Sequence, residues 1–432
     1  MSAKSFIKGT FILTLTGIIT RLLGFVFKII LSRIIGSEGM GMYQLVMPVC
    51  GIAYALGISG FEVAISRLTA KHFNAGKPEK ALTVLVLGSF YSLVVCITFC
   101  MLVTINAECI AYKIFGNSDV TPLIKTIIWS IPFSAIHCMV SSYYIGQQKT
   151  GFPGISQLLE QLIRMLSVFV IIKITNKTDA TIGVISLIIG EIGAAIISVN
   201  YVLFNTNRKK SLLKESFSYH TKAIRKTAIP VSLNKIALVG LQSLETILLP
   251  IMLVKNGLSH TEAVQTLGII TGMAIPVILF PATLTNSVAL MLLPSVSTIN
   301  QNPEKLKKSG SYSLIFSLIF GFICIIFMVM IGGKICEIAF KEPLVNEYVK
   351  VLAWLCPFIF VSTTFKSILN ALGKSTKIFA NNMLSESINI VFIIFLIPTY
   401  GIGAYLYGLL TSQCLNSILQ LVAYNNYMRK LR

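Results

Sequence analysis

Eleven charged side chains lie within or at the edge of long apolar segments of this chain, and these are the residues best able to do chemistry. The cations are Arg21, Lys28, Lys125, Arg164, Lys235 and Lys366, and the carboxylates are Glu62, Glu160, Glu191, Glu245 and Glu386. An ionised side chain at the centre of a bilayer costs about 2.5–3.5 kcal/mol on insertion scales, so such groups normally face a partner or a water-filled cavity. The pattern predicts a polar path through a membrane.

Helical spacing places several of these side chains on common faces. Arg21 and Lys28 are two turns apart, and Glu160 and Arg164 are spaced to pair along one helix. The predicted substrate-binding residues are Arg21, Lys28, Lys235, Glu62, Glu245, Gln242 and Asn286. The four histidines are scattered and the nine cysteines form no CxxC pair, so we expect neither a metal site nor a cofactor.

Twelve apolar segments separated by short polar loops must position these groups. Each holds roughly 20 residues or more, the length that an α-helix needs to cross a hydrocarbon core. The sequence therefore predicts an all-α polytopic membrane protein. The spans lie near 8–32, 42–66, 81–105, 122–145, 154–174, 181–204, 227–254, 263–298, 310–332, 348–371, 377–397 and 401–427.

Positive charge falls mainly in alternate loops. If both termini are cytoplasmic, 22 of the 36 Lys and Arg lie on the cytoplasmic side and eight lie in the opposite loops. This asymmetry follows the positive-inside rule and predicts an N-in, C-in protein of the cytoplasmic membrane. The net charge of +20 is therefore interpreted as topology and contact with anionic membrane lipids, not as nucleic-acid binding.

The longest predicted cytoplasmic connection, residues 205–226, is polar and strongly basic. It divides the chain into an N-terminal six-helix bundle, 1–204, and a C-terminal one, 227–432. Weak self-similarity between the halves supports this division: Thr181-Ile182-Gly183 opens the sixth span and Gly401-Ile402-Gly403 the twelfth. Repeated bundles are typical of transporters.

The eighth span contains three prolines, Pro276, Pro281 and Pro294, with polar residues between the last two. Proline removes a backbone donor and bends a helix, and transporters place such breaks beside cavities. We expect this span to be a gating helix. The chain has no GxxxxGK[ST] or HExxH motif and no large extramembrane segment, so it is not expected to be an enzyme.

Motifs along almost the whole chain resemble those of the stage V sporulation protein B group, in the polysaccharide transporter branch of the multidrug/oligosaccharidyl-lipid/polysaccharide exporter superfamily. The resemblance is carried by Arg21-Leu22-Leu23-Gly24-Phe25, Glu38-Gly39-Met40-Gly41-Met42-Tyr43-Gln44, Ala64-Ile65-Ser66-Arg67-Leu68, Ala228-Ile229-Pro230-Val231-Ser232-Leu233-Asn234, Gly272-Met273-Ala274-Ile275-Pro276, Phe280-Pro281 and Leu292-Leu293-Pro294.

The resemblance implies a V-shaped pair of six-helix bundles with alternating access. It also implies export of an undecaprenyl-pyrophosphate-linked glycan or a peptidoglycan precursor, in cell-wall or spore-cortex assembly. Arginines in the first bundle of the related lipid II flippases are thought to hold the pyrophosphate. Arg21 matches the first of these, whereas the next basic position falls on Phe27, with Lys28 beside it.

Two other classes stay open at this point. A cation-coupled multidrug exporter would use Glu62 or Glu245 for proton or Na⁺ exchange. In a flippase, Glu62 and Glu245 are expected to neutralise the headgroup cations when the site is empty, and the coupling ion stays open. If the chain were instead a non-transporting scaffold for cell-envelope synthesis, substitution of the buried charged residues would have no effect on its function. Relatives act as monomers, and we expect the same here.

Overall fold

The computed structural model describes residues 3–205, 217–282 and 303–431, and within these ranges the chain is helical with no strand. This confirms the predicted all-α polytopic class. The helices are α1 Ala3–Gly57, α2 Ser59–Asn74, α3 Pro78–Ile105, α4 Ala107–Lys113, α5 Thr121–Ile127, α6 Ser130–Gly146, α7 Gly151–Thr175, α8 Ala180–Asn205, α9 Phe217–Lys255, α10 His260–Leu267, α11 275–282, α12 Pro303–Phe327, α13 Gly333–Phe340, α14 Pro343–Leu352, α15 Cys356–Ala371, α16 Ser375–Phe395, α17 Ile397–Tyr400 and α18 Ile402–Lys430.

Nine helical segments in the described ranges are long and apolar enough to cross a membrane. They correspond to the third to eleventh predicted spans, with the eighth described as far as residue 282. The first two predicted spans fall on α1 and α2, and the twelfth falls on α18. Gly36 breaks the helical path of α1, because its φ of 70° lies in the left-handed region that glycine tolerates.

Packing divides the chain into two compact units. Unit 1 comprises Met1–Gly24 and Leu45–Ser243, and unit 2 comprises Phe25–Gln44 and Leu244–Arg432. Residues 25–44 of α1 thus belong to unit 2, and residues 217–243 of α9 belong to unit 1. The predicted boundaries at the linker 205–226 stay predictions, because residues 206–216 lie outside the described ranges.

In unit 1, the first part of α9 packs closely on α2 and α3. A Cβ at Gly60 would overlap the carbonyl oxygen of Ala228, so only glycine allows this approach of α2 to α9. The hydroxyls of Tyr91 and Thr221 lie 3.2 Å apart and join α3 to α9. These contacts fix the face of α9 that carries Lys235.

In unit 2, two side chains anchor residues 25–44 of α1. The Arg33 guanidinium donates hydrogen bonds to the last carbonyls of α13, at 2.9 Å to Ile338 and 2.5 Å to Ala339. Those carbonyls lack partners within their own helix, and the C-terminal end of a helix carries a partial negative charge. A cation there therefore both hydrogen-bonds the carbonyls and neutralises that charge. The Phe25 ring packs on Phe280 of α11 and Phe340 of α13, with centroids 5.7 and 6.1 Å away.

The Glu-Gly-x-Gly-x-Tyr-Gln motif has a packing role in unit 2. A Cβ at Gly41 would overlap the carbonyl oxygen of Val264 in α10. Three residues later, the Gln44 amide donates to the carbonyl of Thr271 at 3.3 Å. Thr271 lies in a π-helical turn, Gly268–Ala274, that joins α10 to α11. The motif therefore holds α1 against the irregular turn that precedes Pro276.

This close approach predicts that Gly41→Ala destabilises the protein. The added methyl meets a backbone carbonyl, and overpacking of this kind typically costs about 1–3 kcal/mol. We expect a lower Tm of the purified protein in detergent. The matched control is Gly403→Ala in α18, where a Cβ meets no atom within 4 Å, so its Tm should be unchanged or higher. Equal Tm values for both variants would contradict the packing assigned to Gly41.

Candidate functional site

Four side chains of unit 1 form a buried ionic cluster between α6, α7 and α8, named here the unit 1 cluster: His137, Glu160, Arg164 and Glu191. Arg164 Nη2 lies 2.6 Å from Glu160 Oε1 and 3.5 Å from Glu191 Oε1. His137 Nε2 lies 3.9 Å from Glu160 Oε2, and its Nδ1 lies 3.0 Å from the Ser198 hydroxyl. The predicted pairing of Glu160 with Arg164 along one helix is confirmed.

The unit 1 cluster contains two carboxylates and one guanidinium. The side chains of Glu160, Arg164 and Glu191 are only 10, 14 and 14% exposed. Arg164 Nε is buried and has no hydrogen-bond partner among the described residues. A buried charge is costly unless it is paired, so Arg164 and the two carboxylates stabilise one another.

Glu62 of α2 is the centre of a second polar group in unit 1. The Tyr54 hydroxyl donates to Glu62 Oε2 at 2.6 Å, and the Cys138 thiol of α6 hydrogen-bonds the same carboxylate. Lys235 of α9 lies near enough for Coulombic attraction to Glu62. Two predicted site residues, Glu62 and Lys235, are therefore brought together across α2 and α9.

In unit 2, Glu245 of α9 and Glu386 of α16 lie close enough to repel each other electrostatically, and they are named here the unit 2 carboxylate pair. The Tyr405 hydroxyl of α18 donates to Glu245 Oε1 at 2.9 Å. Lys366 of α15 attracts Glu386. Asn389 also lies beside Glu245.

Asn389 is completely buried, and its side-chain amide is a polar group that interacts with Glu245. Two carboxylates, a tyrosine hydroxyl and this amide together offer oxygen ligands that suit a proton or a hard cation. The unit 2 carboxylate pair is therefore a candidate ion-coupling site.

The three predicted headgroup cations lack acidic partners at ion-pair distance. Among the described residues, one ion pair joins Lys125 to Glu108, and the others lie within the unit 1 cluster. None of them includes Arg21, Lys28 or Lys235. Arg21 and Lys235 are exposed in unit 1, and Lys28 is half-buried in unit 2. Phe27, at the position where related flippases carry a cation, is buried.

The other predicted residues fall as follows. Gln242 is exposed on α9 and takes part in a polar interaction. Pro276 and Pro281 lie in α11, directly after the π-helical turn. Asn286 and Pro294 lie outside the described residues. The gating role of the prolines stays a prediction.

The sequence alone did not single out His137, Tyr54, Tyr405 or Asn389. His137 and Tyr405 meet carboxylates on other helices, so no spacing along one helix could indicate those contacts. Tyr54 precedes Glu62 by eight residues, across the break between α1 and α2. In the sequence, such a residue is indicated only by being polar at a position that faces the neighbouring helices. Asn389 has this signal, because it follows Glu386 by three residues and lies on the same face of α16.

Comparison with known proteins assigns the sequence of this chain to a family. Residues 6–299 match the family described as "Polysaccharide biosynthesis protein". Residues 240–395 also match the MatE family. The first match covers more than half of the chain, and it includes unit 1 from residue 6 onward.

Individual relatives agree. Stage V sporulation protein B of Bacillus subtilis (strain 168) is 23% identical over 97% of this chain and 83% of its own length. Lipid II flippase MurJ of the same organism is 27% identical over 49% of this chain and 41% of its own length. A solved inward-facing structure of a multidrug resistance MATE family transporter of the MOP superfamily has a TM-score of 0.76, at 14% identity and 95% coverage of both chains. These likenesses show the fold of MOP-superfamily transporters.

The charge balance of the unit 1 cluster predicts that Arg164→Met is strongly destabilising. Removing one member of a buried ionic network typically costs about 3–5 kcal/mol, because the partners remain charged and unpaired. We expect a large fall in Tm, and we expect Glu160→Gln and Glu191→Gln added to the same protein to restore most of it.

The matched control is Lys173→Met, which removes an exposed cation from the same helix, α7. Its Tm should change little. A similar Tm for Arg164→Met and Lys173→Met, or no recovery in the triple variant, would contradict the assigned charge balance.

Proposed function

Because the chain belongs to the polysaccharide biosynthesis protein family, we propose that it is a flippase of the cytoplasmic membrane. Its proposed substrate is a lipid-linked oligosaccharide or peptidoglycan precursor, carried on undecaprenyl pyrophosphate. The substrate crosses by alternating access, in cell-wall or spore-cortex assembly. The similarity to a stage V sporulation protein and to a lipid II flippase supports this substrate class.

The observation that carries the proposal is the pair of exposed cations in the membrane segments of unit 1, Arg21 and Lys235. Neither has an ion-pair partner among the described residues, although a charge in a membrane segment requires a partner or water. A pyrophosphate carries at least two negative charges, and the fork of an arginine matches phosphate oxygens. These cations therefore suit an anionic headgroup better than a cationic drug.

Glu62 gives the proposed headgroup site a way to reset. Its carboxylate attracts Lys235 when no substrate is present, and a bound phosphate competes for the same cation. The Tyr54 hydrogen bond of 2.6 Å holds the carboxylate in place. Lys28 remains a predicted third cation for the headgroup, from its place in the first span.

Ion coupling is the second part of the proposal, and the unit 2 carboxylate pair supports it. Glu245 and Glu386 repel each other, so a proton or a cation bound there relieves that repulsion. The same observation favours the alternative, a cation-coupled multidrug exporter. That exporter would require the carboxylates but not Arg21.

The proposed gating step uses the π-helical turn Gly268–Ala274. Such turns interrupt the regular hydrogen-bond pattern of an α-helix and are frequent at functional sites. Pro276 follows at once and cannot donate to the ladder. We propose that α11 moves about this turn, with the Gln44 amide on the Thr271 carbonyl as the contact that changes.

The test is translocation of a fluorescent undecaprenyl-pyrophosphate sugar by the purified protein in liposomes. Arg21→Ala should slow translocation by about 10–100-fold, because a hydrogen bond to a charged group contributes about 1.5–3 kcal/mol. Arg21→Lys keeps the charge without the fork and should retain intermediate activity. The Tm of both variants should equal that of the native protein, since no described residue pairs with Arg21.

The control is Lys77→Ala, which removes an exposed cation between α2 and α3, outside the membrane segments. It should transport at the native rate. Native rates for Arg21→Ala would remove the headgroup site from the proposal. Movement of a cationic dye but not of the sugar lipid would favour the multidrug exporter.

Ion coupling predicts that an inward Na⁺ or proton gradient accelerates this translocation and that Glu245→Gln abolishes the acceleration. A neutral amide keeps the size of the side chain but removes the charge that a cation neutralises. The rate is measured with and without each gradient. A gradient response that survives in Glu245→Gln and in Glu386→Gln would place coupling elsewhere.

A further inference from the structure

At one end of unit 2, a cavity of about 530 Å³ opens between the ends of α15, α16 and α18. Four cations line it: Lys374, Lys377, Arg429 and Lys430. All four lie on the predicted cytoplasmic side and are exposed. We propose that this basic cavity binds the phosphate headgroup of an anionic glycerophospholipid of the cytoplasmic leaflet. This site is separate from the proposed flippase substrate site.

The charge in the basic cavity is not balanced by its own walls. No Asp or Glu side chain is among the described residues that line it. Glu304 lines the neighbouring cavity of about 360 Å³, which shares Arg429, but it forms no ion pair with that arginine in the described part of the chain. Four like charges in one recess repel one another, and a phosphate relieves that repulsion.

The backbone adds to the positive field. α16 starts at Ser375 with Lys374 as its N-cap, and no side chain caps this end. The start of a 21-residue helix carries a partial positive charge, which makes it an unfavourable place for Lys374 and Lys377. Arg429 and Lys430, in contrast, lie at the favourable C-terminal end of α18. An anion at the start of α16 offsets the unfavourable pair.

A rigid turn holds Lys374 at the cavity. Gly373 has a φ of 70°, and its N–H bonds the carbonyl of Asn370 at 3.0 Å, while the Lys374 N–H bonds that of Leu369 at 2.9 Å. This is the Schellman end of a helix. The Lys374 ammonium also lies 5.3 Å from the centroid of the Tyr427 ring, and such contacts attract cations. The lysine is therefore partly pre-positioned.

The other walls are apolar, and this decides between a lipid and a soluble phosphate. Leu419 and Val422 line the same cavity, and Val422 is 46% exposed. A soluble anion gains nothing from an aliphatic wall, whereas the glycerol and upper acyl chains of a lipid bury apolar area there. Asn381 and Asn426 supply further polar groups at the headgroup level.

The experiment compares lipid retention on the full-length protein by native mass spectrometry, with phosphatidylglycerol or phosphatidylcholine as the probe. The first variant carries Lys374→Gln, Lys377→Gln, Arg429→Gln and Lys430→Gln. The control carries Arg67→Gln, Lys71→Gln, Lys77→Gln and Lys80→Gln, which removes the same charge from the predicted cytoplasmic side of unit 1. Phosphatidylglycerol retention should fall about tenfold or more in the first variant and little in the control.

Equal loss in both quadruple variants would mean a general effect of surface charge and would overturn the proposal. Equal retention of the two lipids by the native protein would do the same. Inorganic pyrophosphate is the third probe: a rise in Tm with it, lost in the first variant, would assign the cavity to a soluble phosphate instead. If a quadruple variant does not fold, two single variants repeat the comparison: Lys377→Glu tests the basic cavity and Lys77→Glu is its control.

Discussion

The structure depends on one constraint, the cost of an unpaired charge among apolar helices. A buried ionic group must find a partner, a proton or water. Arg164 meets this constraint by binding both Glu160 and Glu191, and Arg33 meets it by binding the carbonyl end of α13. Among the described residues, Arg21 has no ion-pair partner, and Lys235 is attracted by Glu62 without forming an ion pair with it. A transporter of an anionic headgroup needs cations of this second kind, held in place by helices whose own charges are satisfied.

The constraint acts differently in the two units. Unit 1 combines a nearly balanced cluster at Arg164 with a Glu62–Lys235 attraction that a ligand can replace. Unit 2 has two carboxylates that repel each other, Glu245 and Glu386. The proposed anion-binding group in unit 1 and the proposed cation-accepting group in unit 2 would together suit transport of a phosphorylated lipid coupled to an ion. The same constraint applies to the basic cavity beside Lys374 at the membrane surface, where we propose that an anionic lipid headgroup neutralises the positive charge.

Much of the fold could be predicted from the sequence, because apolar length and loop charge are local signals. The Glu160–Arg164 pair was also predictable, since both residues lie on one helix at a spacing of four. The Arg33 contact with α13 was not, because it joins positions about 300 residues apart. Residues 25–44 belong to unit 2, where Gly41 fits closely against Val264. The sequence marks these glycines as a motif but does not say which helix they face. His137 and Asn389 escaped notice for the same reason.

The central claim is that the unpaired cations of unit 1 bind a phosphorylated headgroup. The most direct measurement is the Kd of the purified protein for undecaprenyl pyrophosphate and for undecaprenol, which has the same chain without charge. We expect tight binding of undecaprenyl pyrophosphate but not of undecaprenol, and a Kd raised about tenfold or more when Arg21→Gln and Lys235→Gln are combined. Equal affinity for both lipids, or an unchanged Kd in that double variant, would contradict it.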